Sequence, residues 1–198
     1  LVRFILGFFA MVGALVFLGC PWRALLRLGG GDLNAVVGLA GLSIGIGIGV
    51  QFFKRGYNLG RSRPTYQAAG WIMPLLMFGM LLLVVLQPQF SEGGPIFSSE
   101  KGPGSMHAPI LASLAAALVV GFLAQRSRFC TMGAVRDVIL MGEMHMLRGV
   151  AALVVVAAAT NLALGQFNLG MAAQPIAHSS HLWNLLGMVL AGLAFALG

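Results

Sequence analysis

The chain has 198 residues, of which 59% are hydrophobic and only 9% are charged, and its formal net charge is +7. Because an ordinary soluble domain has about 25% charged residues, this composition excludes that class and predicts a polytopic membrane protein. The basic excess is typical of loops that set the orientation of a membrane protein. It does not indicate nucleic-acid binding, because aromatic residues beside basic ones, as in Trp22-Arg23, are sparse.

Apolar segments recur along the chain, each close to the length of about 20 residues that crosses the hydrocarbon layer. They predict an all-α membrane protein with six transmembrane helices, at 4–19, 34–51, 69–87, 108–124, 149–165 and 182–198. The chain begins at Leu1 rather than Met, and no polar residues follow the last apolar segment. We therefore expect it to be a fragment of a longer protein.

The charges of the loops predict the orientation. Loop 52–68 has four basic residues and no acidic one, which predicts a cytoplasmic position. Alternation then puts 125–148 in the cytoplasm, and 88–107 and 166–181 outside. Loop 20–33 is basic yet falls outside, and a short helix that enters the membrane without crossing it would account for this.

The two halves of the chain resemble each other. The matching positions, about 110 residues apart, are Cys20 and Cys130, Asp32 and Glu143, Gly38 and Gly149, the sequence NLG at 58–60 and 168–170, and Pro64 and Pro175. Each half has three apolar segments, and an odd number predicts opposite orientations in the membrane. We therefore predict two inverted repeats, 1–87 and 108–198, joined by an extramembrane Gly/Pro/Ser-rich linker at 88–107.

Each cysteine lies between an apolar segment and a short stretch compatible with a helix. Pro21 follows Cys20, and proline is favoured at the first position of a helix. Thr131 follows Cys130 and is predicted to cap the next helix. A helix N-terminus favours a thiolate and binds anions, so both cysteines are candidates for an anion path lined by re-entrant or interfacial half-helices. The alternative is that each cysteine is a small apolar packing residue, and a disulfide between them also stays open.

Three arginines near the cysteines, Arg23, Arg128 and Arg136, are candidate substrate contacts, because an arginine inside a membrane tends to mark a pathway or an ion pair. The alternative is that they lie at the interface and fix the topology. The acidic residues Asp32, Asp137 and Glu143 are candidate supporting residues. We expect Asp32 and Glu143 to pair with arginines and hold the short helices, with proton coupling as an alternative. Arg136 and Asp137 are predicted to point to different sides of their helix.

Methionines are concentrated around Cys130, where thioethers suit a sulfur, selenium or copper path or fill gaps between helices. The small-residue series Gly41, Gly45 and Gly49 predicts helix packing and no chemistry. The sequence contains no zinc motif, no nucleotide-binding loop and no catalytic triad, so no metal or cofactor is predicted.

The cysteine motifs carry a family likeness. The sequences GCPWR at 19–23, RSRFCTMGAVRD at 126–137 and GE at 142–143 resemble the YeeE/YedE family of bacterial inner-membrane proteins, nearest to the YedE type of selenium metabolism. The resemblance implies a multi-pass inner-membrane protein that moves thiosulfate, or a selenium species, through transient hydrogen bonds to Cys20 and Cys130. It also implies a small soluble sulfur-carrier protein as a cytoplasmic partner. Family members are longer and carry a further GCP-type motif, which would begin near Gly198.

Two functions follow as hypotheses. The first is transport of a small sulfur- or selenium-containing anion along a cysteine-lined path in the lipid bilayer, without catalysis. The second is sulfur or selenium transfer, in which one cysteine forms a persulfide or selenosulfide and passes the atom to a soluble carrier. A structural membrane subunit without a substrate is the third reading, and it predicts that neither cysteine matters.

Overall fold

The structure is a computed structural model that describes residues 2–60, 66–86, 108–172, 174 and 177–198. Its helices are α1 (Val2–Phe17), α2 (Pro21–Gly29), α3 (Asn34–Lys54), α4 (Gln67–Gly70), α5 (Ile72–Leu86), α6 (Ile110–Ser127), α7 (Thr131–Met141), α8 (His145–Ala163) and α9 (His181–Leu197). Apart from one isolated β-bridge, the regular structure of these residues is helical. The all-α prediction is therefore confirmed for the described part of the chain.

Five helical stretches are long and apolar enough to cross a membrane. They are Val2–Gly29, Asn34–Lys54, Gln67–Leu86, Ile110–Met141 and His145–Ala163, and the sixth predicted segment forms the shorter apolar helix His181–Leu197. Large apolar side chains such as Phe4 and Leu111, both more than 70% exposed, cover their outer surfaces. An exposed apolar surface of this extent is compatible with a multi-pass membrane protein.

The described residues group into two compact units. One unit contains Leu1–Leu59 and Ala124–Gly198, and the other contains Gly60–Leu123. In the first unit, α9 packs on α3 and α1, while α2 and α7 pack on α3, α8 and each other. In the second unit, α4 leads into α5, and no residue of either helix is buried. The division into inverted repeats at 1–87 and 108–198 stays a prediction, and the linker at 88–107 lies outside the described residues.

The helices before the two cysteines end in the same way. Leu18 after α1 and Arg128 after α6 have φ angles of 59° and 52°, and no other described non-glycine residue has a positive φ. The next N–H group donates to the carbonyl oxygen five residues back, at 2.9 Å after α1 and 3.1 Å after α6. This is the Schellman ending, which usually has glycine at the left-handed position. Each L-residue in this conformation costs about 1–2 kcal/mol, so the same unfavoured turn occurs before both cysteines.

Glycines let α3 and α9 approach closely. A Cβ on Gly41 would lie 2.5 Å from the carbonyl oxygen of Leu185, and one on Gly45 or Gly49 would also collide with atoms of α9. In the other direction, a Cβ on Gly192 would collide with the backbone of α3. The small-residue packing predicted from the sequence is therefore confirmed. Around this contact lies the core of the first unit: Phe17, Ala24, Leu42, Ile46, Val50, Met188 and Ala196.

We predict that Gly45→Ala destabilises the protein by about 1–3 kcal/mol, because the added methyl group overpacks the contact between α3 and α9. Gly47→Ala is the matched control, since the nearest atom to its added Cβ, in Ile139, is 4.0 Å away. That variant should be neutral or slightly stabilising. Thermal unfolding in detergent, followed by tryptophan fluorescence, measures both effects. Equal midpoints for the two variants would contradict the packing described here.

Candidate functional site

Cys130 caps α7 with its own thiol. Its backbone is extended, and the Sγ atom accepts a hydrogen bond from the N–H group of Gly133 at 3.3 Å. The prediction that Thr131 is the cap is wrong. Thr131 is the first helical residue, it is 2% exposed, and its Oγ1 has no hydrogen-bond partner among the described residues. The side chain that reaches the free N–H groups belongs to the last extended residue before the helix, and that residue is the cysteine.

Cys130 opens onto a cavity of about 310 Å³ within the first compact unit. We call it the Cys130 cavity, and its lining residues are Ile46, Arg128, Cys130, Met132, Gly133, Arg136, Asp137, Met146, Phe195 and Ala196. Two of the three predicted arginines therefore share a cavity with a cysteine. Two of the methionines noted in the sequence also line it, so the cavity combines a thiol, two thioethers and two guanidinium groups.

The charges of the Cys130 cavity are unbalanced. Arg136 donates from Nε and Nη2 to Oδ1 of Asp137, both at 3.3 Å, so the prediction that these neighbours do not face each other is wrong. The arginine is long and exposed enough to fold around the helix towards the adjacent carboxylate. Asp137 is the one acidic residue among the described residues of the lining, beside the two basic residues Arg128 and Arg136, so the lining has a net positive charge. The thiol and thioether sulfur atoms in the same cavity are soft and polarisable.

Cys20 has a different environment from Cys130. It is the N-cap residue of α2, but its side chain makes no capping hydrogen bond, and it lines neither of the two cavities described in this section. Pro21 is the buried first residue of α2, as predicted. The ring of Trp22 meets the ring of Phe129 edge to face at 5.4 Å between centroids. The structure therefore brings together the segments that contain the two cysteines, and both thiols are free and exposed.

Arg23 lies in a second cavity of the same unit, with a volume of about 520 Å³. We call it the Arg23 cavity, and its lining residues are Arg23, Leu26, Arg27, Gly30, Asp32, Asn161, Gln166, Asn168 and Gln174. The three predicted arginines are thus divided between two cavities. Arg128 and Arg136 lie beside Cys130, and Arg23 lies among carboxamides.

Asp32 is the centre of a buried polar junction. Its Oδ2 accepts from Nε of Arg27 at 2.6 Å, and its Oδ1 accepts from the backbone and side-chain nitrogen atoms of Asn34, both at 2.9 Å. The Arg27 and Asp32 side chains are only 9% and 4% exposed. The guanidinium also donates to the carbonyl of Phe17 at 3.2 Å and lies 4.5 Å from the centre of that ring. Asp32 therefore ties the end of α1 to the turn between α2 and α3.

Backbone hydrogen bonds extend this junction to the loop after α8. Asn168 donates to Gly30 at 3.0 Å, Gly170 donates to Gly31 at 3.1 Å, and Leu33 donates back to Gly170 at 3.0 Å. Gly31 has a φ of 97°, and a Cβ there would lie 2.6 Å from the carbonyl oxygen of Asn168, so no larger residue fits this turn. The NLG sequence of the second half thus serves as a backbone partner for the GGGD turn of the first.

Asp32 and Glu143, which lie at matching positions in the two halves of the sequence, each cap the helix that follows. Each carboxylate accepts a hydrogen bond from the N–H group two residues later, at the first residue of the next helix: Asn34 of α3 at 2.9 Å and His145 of α8 at 3.0 Å. Asp32 also pairs with an arginine, as predicted. The carboxylate of Glu143, in contrast, has no ion pair with an arginine among the described residues, and Glu143 lines neither cavity.

The sequence analysis missed Arg27, Asn161, Gln166, Asn168 and Gln174. Arg27 and Asp32 flank the GlyGlyGly turn, and that spacing was a usable signal for an ion pair. The four carboxamides occur within 14 residues, at the end of an apolar helix and in the loop after it, whereas the loop predictions depend on charged residues alone. Polar residues that carry no charge were therefore overlooked.

Within the described residues, no group of three or more His, Cys, Asp or Glu side chains could hold a metal ion. A comparison with protein-family models, with curated proteins and with solved structures finds no match to this chain. The functional argument therefore rests on the two cavities and the residues that line them.

We predict that Asp32→Asn destabilises the protein by about 3–5 kcal/mol, because it leaves the buried guanidinium of Arg27 without its counter-charge. Asp137→Asn removes the same charge from the exposed pair with Arg136, and should cost about 0–1 kcal/mol. Chemical unfolding in detergent measures both changes. A loss of equal size in the two variants would contradict the assignment of the first pair as structural.

Proposed function

We propose that this chain belongs to a multi-pass protein of the bacterial inner membrane, similar to the YeeE/YedE family, that transports a small sulfur- or selenium-containing anion. The observation that carries the proposal is the Cys130 cavity. It presents a thiol at a helix N-terminus beside two guanidinium groups and two thioethers. The substrate is a thiosulfate-like ion or a selenium species of similar size.

The charge of the cavity favours an anion over a soft cation. A copper ion would suit Cys130, Met132 and Met146, but it would have to enter a cavity with two arginines and one aspartate. An anion gains from the same guanidinium groups and from the free N–H groups at the start of α7.

The sulfur atoms favour a chalcogen-bearing anion over sulfate. The terminal sulfur of thiosulfate can accept a hydrogen bond from the thiol and contact the polarisable thioethers of Met132 and Met146. Sulfate has only oxygen atoms to offer. In this proposal the arginines attract the anion, and the sulfur atoms of the cavity select it.

In the proposed path, Cys130 and Cys20 pass the anion from one to the other. Two features support this: the contact between Trp22 and Phe129, and the shared left-handed turns two residues before each cysteine. Such turns end the long helices and free the N-termini of the short ones. The two halves would lie in opposite orientations, as in transporters with inverted repeats, so that the short helices approach the path from both sides.

The second candidate is sulfur transfer, and the free, exposed thiol of Cys130 with its hydrogen bond from Gly133 favours it. A thiolate at Cys130 would attack the terminal sulfur of thiosulfate, form a persulfide and release sulfite. The persulfide sulfur would then move to the thiolate of a small soluble carrier at the cytoplasmic face, which restores Cys130. Mass spectrometry after exposure to thiosulfate distinguishes the two mechanisms, because transfer leaves one added sulfur on Cys130 and relay leaves the thiol unmodified.

We predict that Cys130→Ser lowers uptake of radiolabelled thiosulfate at least about tenfold, in cells without their own importers that express this protein. Serine is a good N-cap residue, so α7 keeps its cap and only the sulfur is lost. Met141→Leu is the control, because Met141 is exposed and lies outside both cavities. Normal uptake by the serine variant would contradict the proposal.

We also predict that Cys20→Ser reduces uptake while leaving the folded protein intact, because the side chain of Cys20 makes no capping bond. Protein level in the membrane and the thermal midpoint serve as controls. If this variant transports normally while Cys130→Ser does not, the relay between two cysteines is wrong and the path uses Cys130 alone.

A further inference from the structure

The Arg23 cavity has the chemistry of a binding site for hard anions. Residues Arg23, Leu26, Arg27 and Gly30 lie at positions i, i+3, i+4 and i+7, so one face of α2 and the turn after it form one wall. Asn161 at the end of α8 and the loop after α8 supply the carboxamides of the other wall.

The acid in this cavity is already engaged. Asp32 accepts three hydrogen bonds, from Arg27 and from the two nitrogen atoms of Asn34, and only 3% of the residue is exposed. Its charge is matched by Arg27. Arg23 has no ion pair within the described residues, so it provides the net positive charge of the cavity.

A buried donor also lacks an acceptor. The Arg27 side chain is 9% exposed, and its Nη2 has no hydrogen bond among the described residues, although Nε and Nη1 are both engaged. A buried N–H group without an acceptor costs about 1–3 kcal/mol, and Arg27 is one of the residues that line this cavity. Asn161 donates from Nδ2 to the carbonyl of Gly29 in α2, which ties the two walls together, and Gln174 donates from Nε2 to the carbonyls of Asn168 and Gly170, which stiffens the loop after α8.

We propose that the Arg23 cavity binds a small oxyanion through the guanidinium groups of Arg23 and Arg27 and the carboxamide of Gln166. Guanidinium groups match the oxygen spacing of tetrahedral oxyanions and bind them in a bidentate manner. Among the described residues, no sulfur atom lines this cavity, so it recognises oxygen and does not distinguish sulfate from thiosulfate. The inference is independent of the proposed transport, because it concerns another cavity and needs neither cysteine.

The test is equilibrium binding of radiolabelled sulfate to the purified full-length protein in nanodiscs. The wild type should bind sulfate saturably, with thiosulfate competing at similar concentration. Arg23→Gln should raise the Kd about tenfold or more, the effect of losing one charge-assisted hydrogen bond. Arg148→Gln removes the same charge from an exposed residue outside both cavities, and Cys130→Ser alters only the other cavity. Both should leave the Kd unchanged.

Gln166→Leu is a second variant, since Gln166 is exposed and its substitution leaves the junction around Asp32 in place. It should raise the Kd for sulfate while the thermal midpoint stays constant. The inference is overturned if folded wild-type protein shows no saturable sulfate binding, or if Arg23→Gln and Arg148→Gln weaken binding equally. Loss of sulfate binding in Cys130→Ser would also overturn it, by moving the anion to the Cys130 cavity. Failure of thiosulfate uptake in cells would instead count against the transport proposal alone.

Discussion

Helix termination inside an apolar chain is the constraint on which the rest of this structure depends. Where α1 and α6 stop, their last carbonyls and the first N–H groups of α2 and α7 need partners, and apolar surroundings supply none. Leu18 and Arg128 reverse the chain in the left-handed region so that the next N–H bonds backwards. The same reversal leaves a cysteine extended at the start of each short helix. The positions of the two cysteines thus follow from the way in which the backbone completes its hydrogen bonds at these helix ends.

The helices that follow the short helices begin at carboxylates. Asp32 and Glu143 each bind the first N–H group of the following helix, but only Asp32 is buried, and only Asp32 recruits an arginine and a second loop. Buried charge requires a partner and further hydrogen bonds, whereas an exposed carboxylate is solvated. Asp32 and Glu143 therefore share the capping bond, and Asp32 alone of the two is also part of a rigid polar junction within the described residues. The Arg23 cavity lies beside that junction because backbone hydrogen bonds fix the loop after α8 against the turn between α2 and α3.

Much of this organisation is readable in the sequence. The apolar segments give the helices, Cys20 and Cys130 mark the breaks, and the Gly41 series predicts the contact with α9. The sequence does not reveal which side chain caps α7, because Cys130 and Thr131 are adjacent and only the backbone angles decide between them. The division of the arginines between two cavities is also hidden, since it depends on which face of α2 turns towards α8.

The glycine contact between α3 and α9 has a consequence for substrate size. Ile46 of α3 and Phe195 and Ala196 of α9 form a wall of the Cys130 cavity, opposite the residues that carry the sulfur and the charge. The glycines bring α9 close enough to α3 for Phe195 and Ala196 to reach this cavity, so the axial register of α9 against α3 sets how far the Phe195 ring extends into it. One helical turn is about 5.4 Å, which is comparable to the width of a small anion. The packing of two glycine-rich helices therefore sets the width of a cavity whose sulfur atoms and charges come from other elements.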